Sequence, residues 1–167
     1  CHLFCDASNT GWGAKFLHHC TGGPWSLQEQ ELHINSKEVL AVFYSLKAFS
    51  STSSGSHVLI FSDNTTAVSV LNHMGTSKSQ TCNALAKSIW EFCRLQGIWL
   101  TMTHIPGVEN VDADRESRKQ YCDANWMFNQ RLFASACTFC DFKPDLDCFA
   151  NRLNTQLRDY VSYQPDP

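Results

Sequence analysis

The pattern of apolar and polar residues along the first part of the chain predicts five β-strands. The first two flank a group of turn-forming residues, Ser8 to Gly11, which is typical of a β-hairpin. The fourth is a continuous apolar run that suits a strand covered on both faces, and Asp63 follows it closely. In order, the predicted strands cover residues 2–8, 12–17, 25–33, 57–61 and 98–105.

Between these strands, apolar residues recur at the spacing of α-helices. The serine-rich stretch 50–56 is predicted as a loop after the first helix, and Gly75 and Gly97 are expected to close the next two. The predicted helices run from residue 35 or 36 to residue 49, over 65–72, over 78–96, and over a short polar stretch from about residue 110. This order of elements predicts an α/β fold in which helices pack on a mixed five-stranded sheet.

The pattern changes beyond about residue 118, which predicts a boundary near residues 119–124. An apolar helix is predicted over residues 126–137, followed by an irregular piece. We therefore expect a domain over residues 1–120, a connecting helical segment over 121–141 and the start of a following domain or a linker over 142–167. The length of 167 residues allows one ordinary core with an appendage, and the first residue, Cys1, suggests a piece of a longer polypeptide.

Two of the predicted strands end at a carboxylate. Asp6 ends the first and Asp63 follows the fourth, so adjacent strands would bring both side chains to one edge of the sheet. A buried carboxylate is costly unless it is paired, and a divalent cation such as Mg²⁺ would hold two of them together through its oxygen ligands. The structural alternatives are a turn residue for Asp6 and an Asx-turn or helix N-cap for Asp63.

Further acidic residues lie where helices are predicted to begin. Glu38 follows Asn35 at the spacing of a capping box, which is its alternative to metal binding. The first turn of a helix packed across the sheet is also a place from which Glu38 could reach the ends of the first and fourth strands. Asp112 and Asp114 lie in the first turns of the polar helix, where either could serve only to stabilise the positive end of the helix dipole.

Composition limits the partners and the compartment. The net charge of −3 argues against binding nucleic acid through bulk electrostatics, so any polynucleotide must be held locally or by a neighbouring domain. Several of the nine cysteines lie within apolar patterns, which favours a reduced, intracellular setting without distinguishing cytoplasm from nucleus. No apolar stretch approaches the length of a membrane span, so no membrane partner is expected.

The motifs around these carboxylates resemble a known family. Residues 104–118, HIPGVENVDADRESR, resemble the closing motif of the ribonuclease H domain of retrotransposon reverse transcriptases. Together with DAS, GWGA, HINSKE and SDNTTAV earlier in the chain, this motif resembles the ribonuclease H of DIRS-type, tyrosine-recombinase retrotransposons, over roughly residues 1–120. The tail, residues 145–167, resembles the segment that follows in those elements. The resemblance implies that the predicted mixed five-stranded sheet, with its helices, forms a ribonuclease H-like fold.

The resemblance also implies roles for the matching residues. It assigns the metal-binding carboxylates to Asp6, Glu38, Asp63 and Asp114. Asp114 is chosen over Asp112 because it occupies the Ala-Asp position of the motif. His104 matches the mobile-loop histidine that assists proton transfer or product release, and Asn110 matches the asparagine at the helix start. Supporting roles are expected for Ser8, Asn64 and Asn110. Independently of the resemblance, Arg115 and Arg118 belong to a modest basic cluster on the last helix, which either contacts nucleic acid or is a solvated face.

The activity implied by the resemblance is cleavage of the RNA strand of RNA/DNA hybrids during reverse transcription of a retroelement. Two Mg²⁺ ions, for which Mn²⁺ can substitute, would activate water and stabilise the leaving oxygen. Contacts with 2′-hydroxyl groups would select the RNA strand. The implied partners are the RNA/DNA hybrid and an upstream reverse transcriptase domain of the same polyprotein.

Two other classes of function are compatible with the same fold. One is an inactive ribonuclease H-like module that positions nucleic acid or binds partners, and the other is a DNA nuclease or integrase of the same superfamily. The presence of all four carboxylates favours an active enzyme over the inactive module. The histidine of the HIPG motif, His104, favours a ribonuclease H over an integrase.

Overall fold

The computed structural model describes residues 1–120 and 126–167. The chain divides into two compact units, and the first consists of residues 1–120 together with Pro167. The predicted boundary at residues 119–124 and the start of the predicted segment 121–141 lie largely outside the described residues. Within the described ranges, no helix combines the length and the apolar character that crossing a bilayer requires.

A mixed five-stranded sheet forms the centre of the first unit. Its strands are β1 (His2–Ala7), β2 (Gly11–Phe16), β3 (His19–Pro24), β4 (His57–Ser62) and β5 (Trp99–His104). They are arranged in the order β3-β2-β1-β4-β5. The first three strands are antiparallel neighbours, whereas β4 runs parallel to β1, and β5 runs parallel to β4. The predicted adjacency of the first and fourth strands is confirmed.

Besides one 3₁₀ turn over Gly107–Glu109, six α-helices accompany this sheet in the first unit. They are α1 (Leu27–Gln30), α2 (Ile34–Ala48), α3 (Ser50–Ser53), α4 (Thr65–Asn72), α5 (Gln80–Gln96) and α6 (Val111–Ser117). Local residues set the ends of the longer ones: the Ser79 hydroxyl caps α5 by accepting from the N–H of Cys82, and Gly97 ends it in a left-handed conformation. One turn of helix, α3, occupies part of the serine-rich stretch predicted as a loop.

The prediction of a third strand over residues 25–33 is wrong. The third strand is β3, and the residues after it begin a helical turn, since Ser26 and Glu29 form a capping box at the start of α1. β3 lacks an apolar pattern because it is an edge strand that pairs only with β2 and contains the glycines Gly22 and Gly23. A strand with little apolar surface gives no periodic signal in the sequence.

The hydrophobic core lies between the sheet and helices α2, α4 and α5. Helix α2 packs on β1 and on α5, and α4 packs on β5. The buried apolar side chains that hold these elements together include Leu3, Val39, Leu46, Ile60 and Ile89. This packing fixes the C-terminal ends of β1 and β4 beside the first turns of α2.

Helix α6 lies directly against β2 because glycine removes the side chains that would separate them. A Cβ atom on Gly13 would lie 2.2 Å from the carbonyl oxygen of Ala113 and 2.5 Å from the backbone nitrogen of Ser117. Gly13 is also the residue that pairs with Asp6 across the β1–β2 hairpin. The GWG sequence therefore allows the end of α6 to approach the end of β1.

We expect Gly13→Ala to lower the free energy of unfolding by about 3 kcal/mol, since its methyl group would overlap backbone atoms that cannot rotate away. Gly55→Ala is a suitable control, because a Cβ there meets open space and only the positive φ of +69° opposes it. That strain alone costs about 1 kcal/mol. Urea denaturation of both variants measures the difference. Equal losses would mean that α6 can move away from β2 at no cost.

The second unit is small and has little regular structure. Its described elements are α7 (Gln130–Phe139) and a parallel two-stranded ladder of β6 (Asp147–Cys148) and β7 (Tyr160–Val161). The helix predicted over residues 126–137 begins later, because the side chain of Asn129 caps it by accepting from the N–H groups of Arg131 and Leu132.

Candidate metal centre

Three carboxylates that are far apart in the sequence meet at one edge of the sheet. Asp6 belongs to β1, Asp63 follows β4 directly, and Glu38 lies in α2. One ligand oxygen from each side chain lies within 4.8 Å of the others. Asp6 and Glu38 are buried, with 4% and 5% of their surface exposed, and Asp63 is the most accessible of the three. We call these residues the carboxylate cluster.

The helix-capping alternative for Glu38 is wrong. Helix α2 begins at Ile34, and its N-cap is His33, whose ring accepts from the N–H of Asn35. Glu38 therefore lies beyond the first turn, where its side chain reaches the ends of β1 and β4 instead of the helix terminus. The N-cap alternative for Asp63 is also wrong, because Asn64 caps α4 by accepting from the N–H of Ala67.

The cluster concentrates negative charge around two buried carboxylates, Asp6 and Glu38. Burial, followed by the charges of Asp6 and Asp63, raises the pKa of Glu38 to about 9, although hydrogen bonds from the backbone of Ala7 and the side chain of Asn64 oppose the shift. Burial also raises the pKa of Asp6, and the charges of Asp63 and Asp114 add to this. A hydrogen bond from Ser117 acts in the opposite direction on Asp6. Full ionisation of the cluster therefore needs a compensating cation.

The residues of the cluster fit a divalent cation that prefers oxygen ligands. Oε2 of Glu38 is buried and has no hydrogen-bond partner among the described residues. A buried oxygen without a partner is costly in water-free surroundings, and cation binding would remove that cost. Since every donor in the cluster is a carboxylate oxygen, Mg²⁺ or Mn²⁺ is favoured over metals that prefer nitrogen or sulfur.

Helix α6 places its two aspartates in different surroundings. Asp114 pairs with Arg118, with 2.6 Å between Oδ1 and Nε, and it is close enough to Asp6 to raise the pKa of that carboxyl. Asp112 pairs instead with Lys15 of β2 and with Arg115. Asp114 is thus the helix aspartate beside the carboxylate cluster, although it is not among the three whose oxygens converge. Its role as a fourth ligand stays a prediction.

The remaining predicted residues surround the cluster at different distances. Asn110 is buried at the start of α6, and its amide group donates to the carbonyl oxygen of Cys5 in β1, over 2.9 Å. The Asn64 amide donates to Oδ1 of Asn35. His104 is the last residue of β5 and is exposed. Asn110 thus contacts β1, which contains Asp6, and Asn64 contacts α2, which contains Glu38. A role for His104 stays a prediction.

Two residues at the site were given no role in the sequence-based prediction. Ser117 donates from its hydroxyl to Oδ2 of Asp6, over 2.6 Å. Gly107 lies so near Asp63 that a Cβ atom on it would be 2.9 Å from Oδ2 of that carboxylate. Both belong to the HIPG…SR motif, but the spacing within the motif does not reveal which of its residues contact Asp6 or Asp63.

Comparisons with known proteins place the chain in a family. Residues 1–92, more than half of the chain, match the family described as "RNase H-like domain found in reverse transcriptase". Two curated relatives are the "Enzymatic polyprotein" of cauliflower mosaic virus strains D/H and Strasbourg, each 33% identical over 113 residues. The matched segment covers 66% of this chain and 16% of the viral protein.

A solved structure supports the same fold. The crystal structure of RNase H1 from the halophilic archaeon Halobacterium salinarum NRC-1 matches with a TM-score of 0.54 and 18% identity, covering 68% of this chain and 90% of that one. The predicted ribonuclease H-like α/β fold is therefore confirmed. With the matched family, these findings show that the chain belongs to the RNase H-like domains found in reverse transcriptase.

Proposed function

We propose that this chain is a metal-dependent endonuclease that cleaves the RNA strand of RNA/DNA hybrids during reverse transcription of a retroelement. The observation that carries the proposal is the carboxylate cluster, with the buried, unpartnered Oε2 of Glu38 at its centre. Carboxylates held this close together destabilise one another when they are ionised and no cation is bound. Binding of a cation would explain why these three carboxylates lie together.

Each residue of the site has a proposed part in this chemistry. Asp6, Glu38 and Asp63 would hold two Mg²⁺ ions, and Asp114, which is paired with Arg118 in the structure, would be the fourth ligand. When bound, the ions supply the positive charge that activates water and stabilises the leaving 3′ oxygen. The exposed His104 assists proton transfer or product release from the end of β5. Arg115 and Arg118 lie on the accessible side of α6, where they contact nucleic acid.

The proposed source is a retroelement polyprotein of the DIRS type. The resemblance of the motifs in the first 120 residues and of the tail, residues 145–167, to those elements supports that assignment. The upstream reverse transcriptase domain of the same polyprotein is the proposed partner in holding the hybrid, because a chain with net charge −3 displaces few counterions from a polynucleotide.

A cleavage assay with end-labelled RNA tests the proposal. We expect the chain to cut RNA paired with DNA in the presence of Mg²⁺ or Mn²⁺, to leave 5′-phosphate and 3′-hydroxyl ends, and to lose activity in EDTA. The same RNA paired with RNA is the control and should remain intact. Hybrid binding without cleavage in either metal would contradict the proposal and indicate the inactive module instead.

A further inference from the structure

Ser117 ends α6 inside the protein, in contact with the carboxylate cluster. Its side chain is fully buried, and its hydroxyl lies 2.6 Å from Oδ2 of Asp6 and 2.9 Å from the carbonyl oxygen of Asp114. A serine hydroxyl has one proton to donate, and the shorter contact is to the acceptor that carries charge. The proton therefore belongs to the bond with Asp6.

The backbone around Ser117 is itself held in place. The hydroxyl of Ser8, in the turn after β1, donates to the carbonyl oxygen of Ser117 over 2.6 Å. The close approach of Gly11 and Gly13 leaves no room for the end of α6 to shift towards β2. The backbone of Ser117 is consequently fixed next to Asp6, although the two residues are 111 positions apart in the chain.

We infer that Ser117 is a positioning residue, which orients Asp6 for cation binding by holding one of its two oxygens. This inference rests on the proposed function, because it concerns the same metal centre. The hydrogen bond stabilises the ionised form of a buried carboxylate and restricts its rotation, so that Oδ1 keeps one orientation towards the cluster. Partners that orient a metal ligand in this way are commonly worth 10- to 100-fold in metal affinity or activity.

The test measures metal binding directly, by the electron paramagnetic resonance signal of free Mn²⁺. We expect Ser117→Ala to weaken Mn²⁺ binding by about 10- to 100-fold. In the cleavage assay, kcat should fall while KM for the hybrid stays unchanged, since a buried hydroxyl does not touch the substrate. Ser45→Ala is the matched control, because Ser45 is equally buried and its hydroxyl donates only within α2, to the carbonyl oxygen of Ala41. It should bind Mn²⁺ as the unaltered chain does.

A second variant separates hydrogen bonding from packing. Ser117→Cys leaves no cavity, because its sulfur atom is larger than the oxygen it replaces, but it offers only a weak S–H donor, so we expect it to bind Mn²⁺ as poorly as the alanine variant. Normal binding by Ser117→Cys would assign the effect to packing and overturn the inference. Loss of folded structure in both variants, seen by circular dichroism, would also overturn it, because Ser117 would then serve the fold itself.

The unaltered chain distinguishes failure of the inference from failure of the proposed function. If the chain binds Mn²⁺ and cleaves hybrid, but both Ser117 variants do so equally well, the inference fails and the proposed function stands. If the unaltered chain neither binds Mn²⁺ nor cleaves, the metal centre itself is refuted, and the inference is refuted with it.

Discussion

Replacing Glu38 by glutamine should slow hybrid cleavage by about 1,000-fold, the factor that corresponds to losing about 4 kcal/mol of charge stabilisation at the metal site. Glutamine keeps the shape of the side chain but is a poor ligand for Mg²⁺. The variant should fold, because α2 does not depend on Glu38 for its N-cap. Single-turnover rates on labelled hybrid measure the loss. Near-normal cleavage would show that Glu38 is not a ligand of the proposed metal centre.

The same variant should change how stability depends on pH when metal is removed. In the folded chain the pKa of Glu38 is raised from 4.5 to about 9, so the folded state holds this proton over a range in which the unfolded state has lost it. The resulting stability is fully present below pH 4.5 and is lost as pH rises through about 9. Urea denaturation in EDTA at pH 5.5 and 8.5 should therefore show a steeper fall for the unaltered chain than for Glu38→Gln. Parallel falls would contradict the shift.

Asp63→Asn should slow hybrid cleavage about as much as Glu38→Gln does. It should change the free energy of unfolding less than Glu38→Gln does. Asp63 is the most accessible residue of the cluster, so solvent already screens its charge in the absence of metal. In EDTA we expect the free energy of unfolding to stay within about 1 kcal/mol of the unaltered chain or to rise, since removing a charge relieves repulsion from Asp6.

Asp112→Asn is the matched control for this second prediction. It also neutralises an aspartate, but Asp112 pairs with Lys15 and Arg115 and lies outside the carboxylate cluster. Cleavage by this variant should therefore remain normal. If Asp63→Asn unfolded the chain while Asp112→Asn did not, Asp63 would be a structural residue and its assignment to the metal centre would fail.

Local sequence patterns predict the residues of the site that lie at the ends of strands. Asp6 and Asp63 follow apolar runs, and the adjacency of two strands is enough to bring their carboxylates together. The N-cap of α2 lies two to three residues before the predicted ones, because Asn35 and Ser36 are more usual capping residues than His33. That small shift is the reason that a helix cap stood as the alternative to metal binding for Glu38.

Contacts between distant parts of the chain could not be predicted from the sequence. The bond between Ser117 and Asp6, and the fit of α6 against Gly13, depend on how the last helix docks on the sheet. Likewise, the edge strand β3 shows no apolar periodicity, because it pairs only with β2 and two of its residues are glycines. Such features are set by tertiary packing, which local patterns do not encode.

The docking of α6 also has a consequence for biosynthesis. Asp6 is translated near the start of this segment, whereas Ser117, which orients it, leaves the ribosome more than one hundred residues later. The sheet needs only residues up to His104, so a nascent chain can build its core before α6 exists. Pairings of such long sequence separation form slowly. We therefore expect a stage of biosynthesis in which the strands of the core are present but Asp6 is not yet held by Ser117.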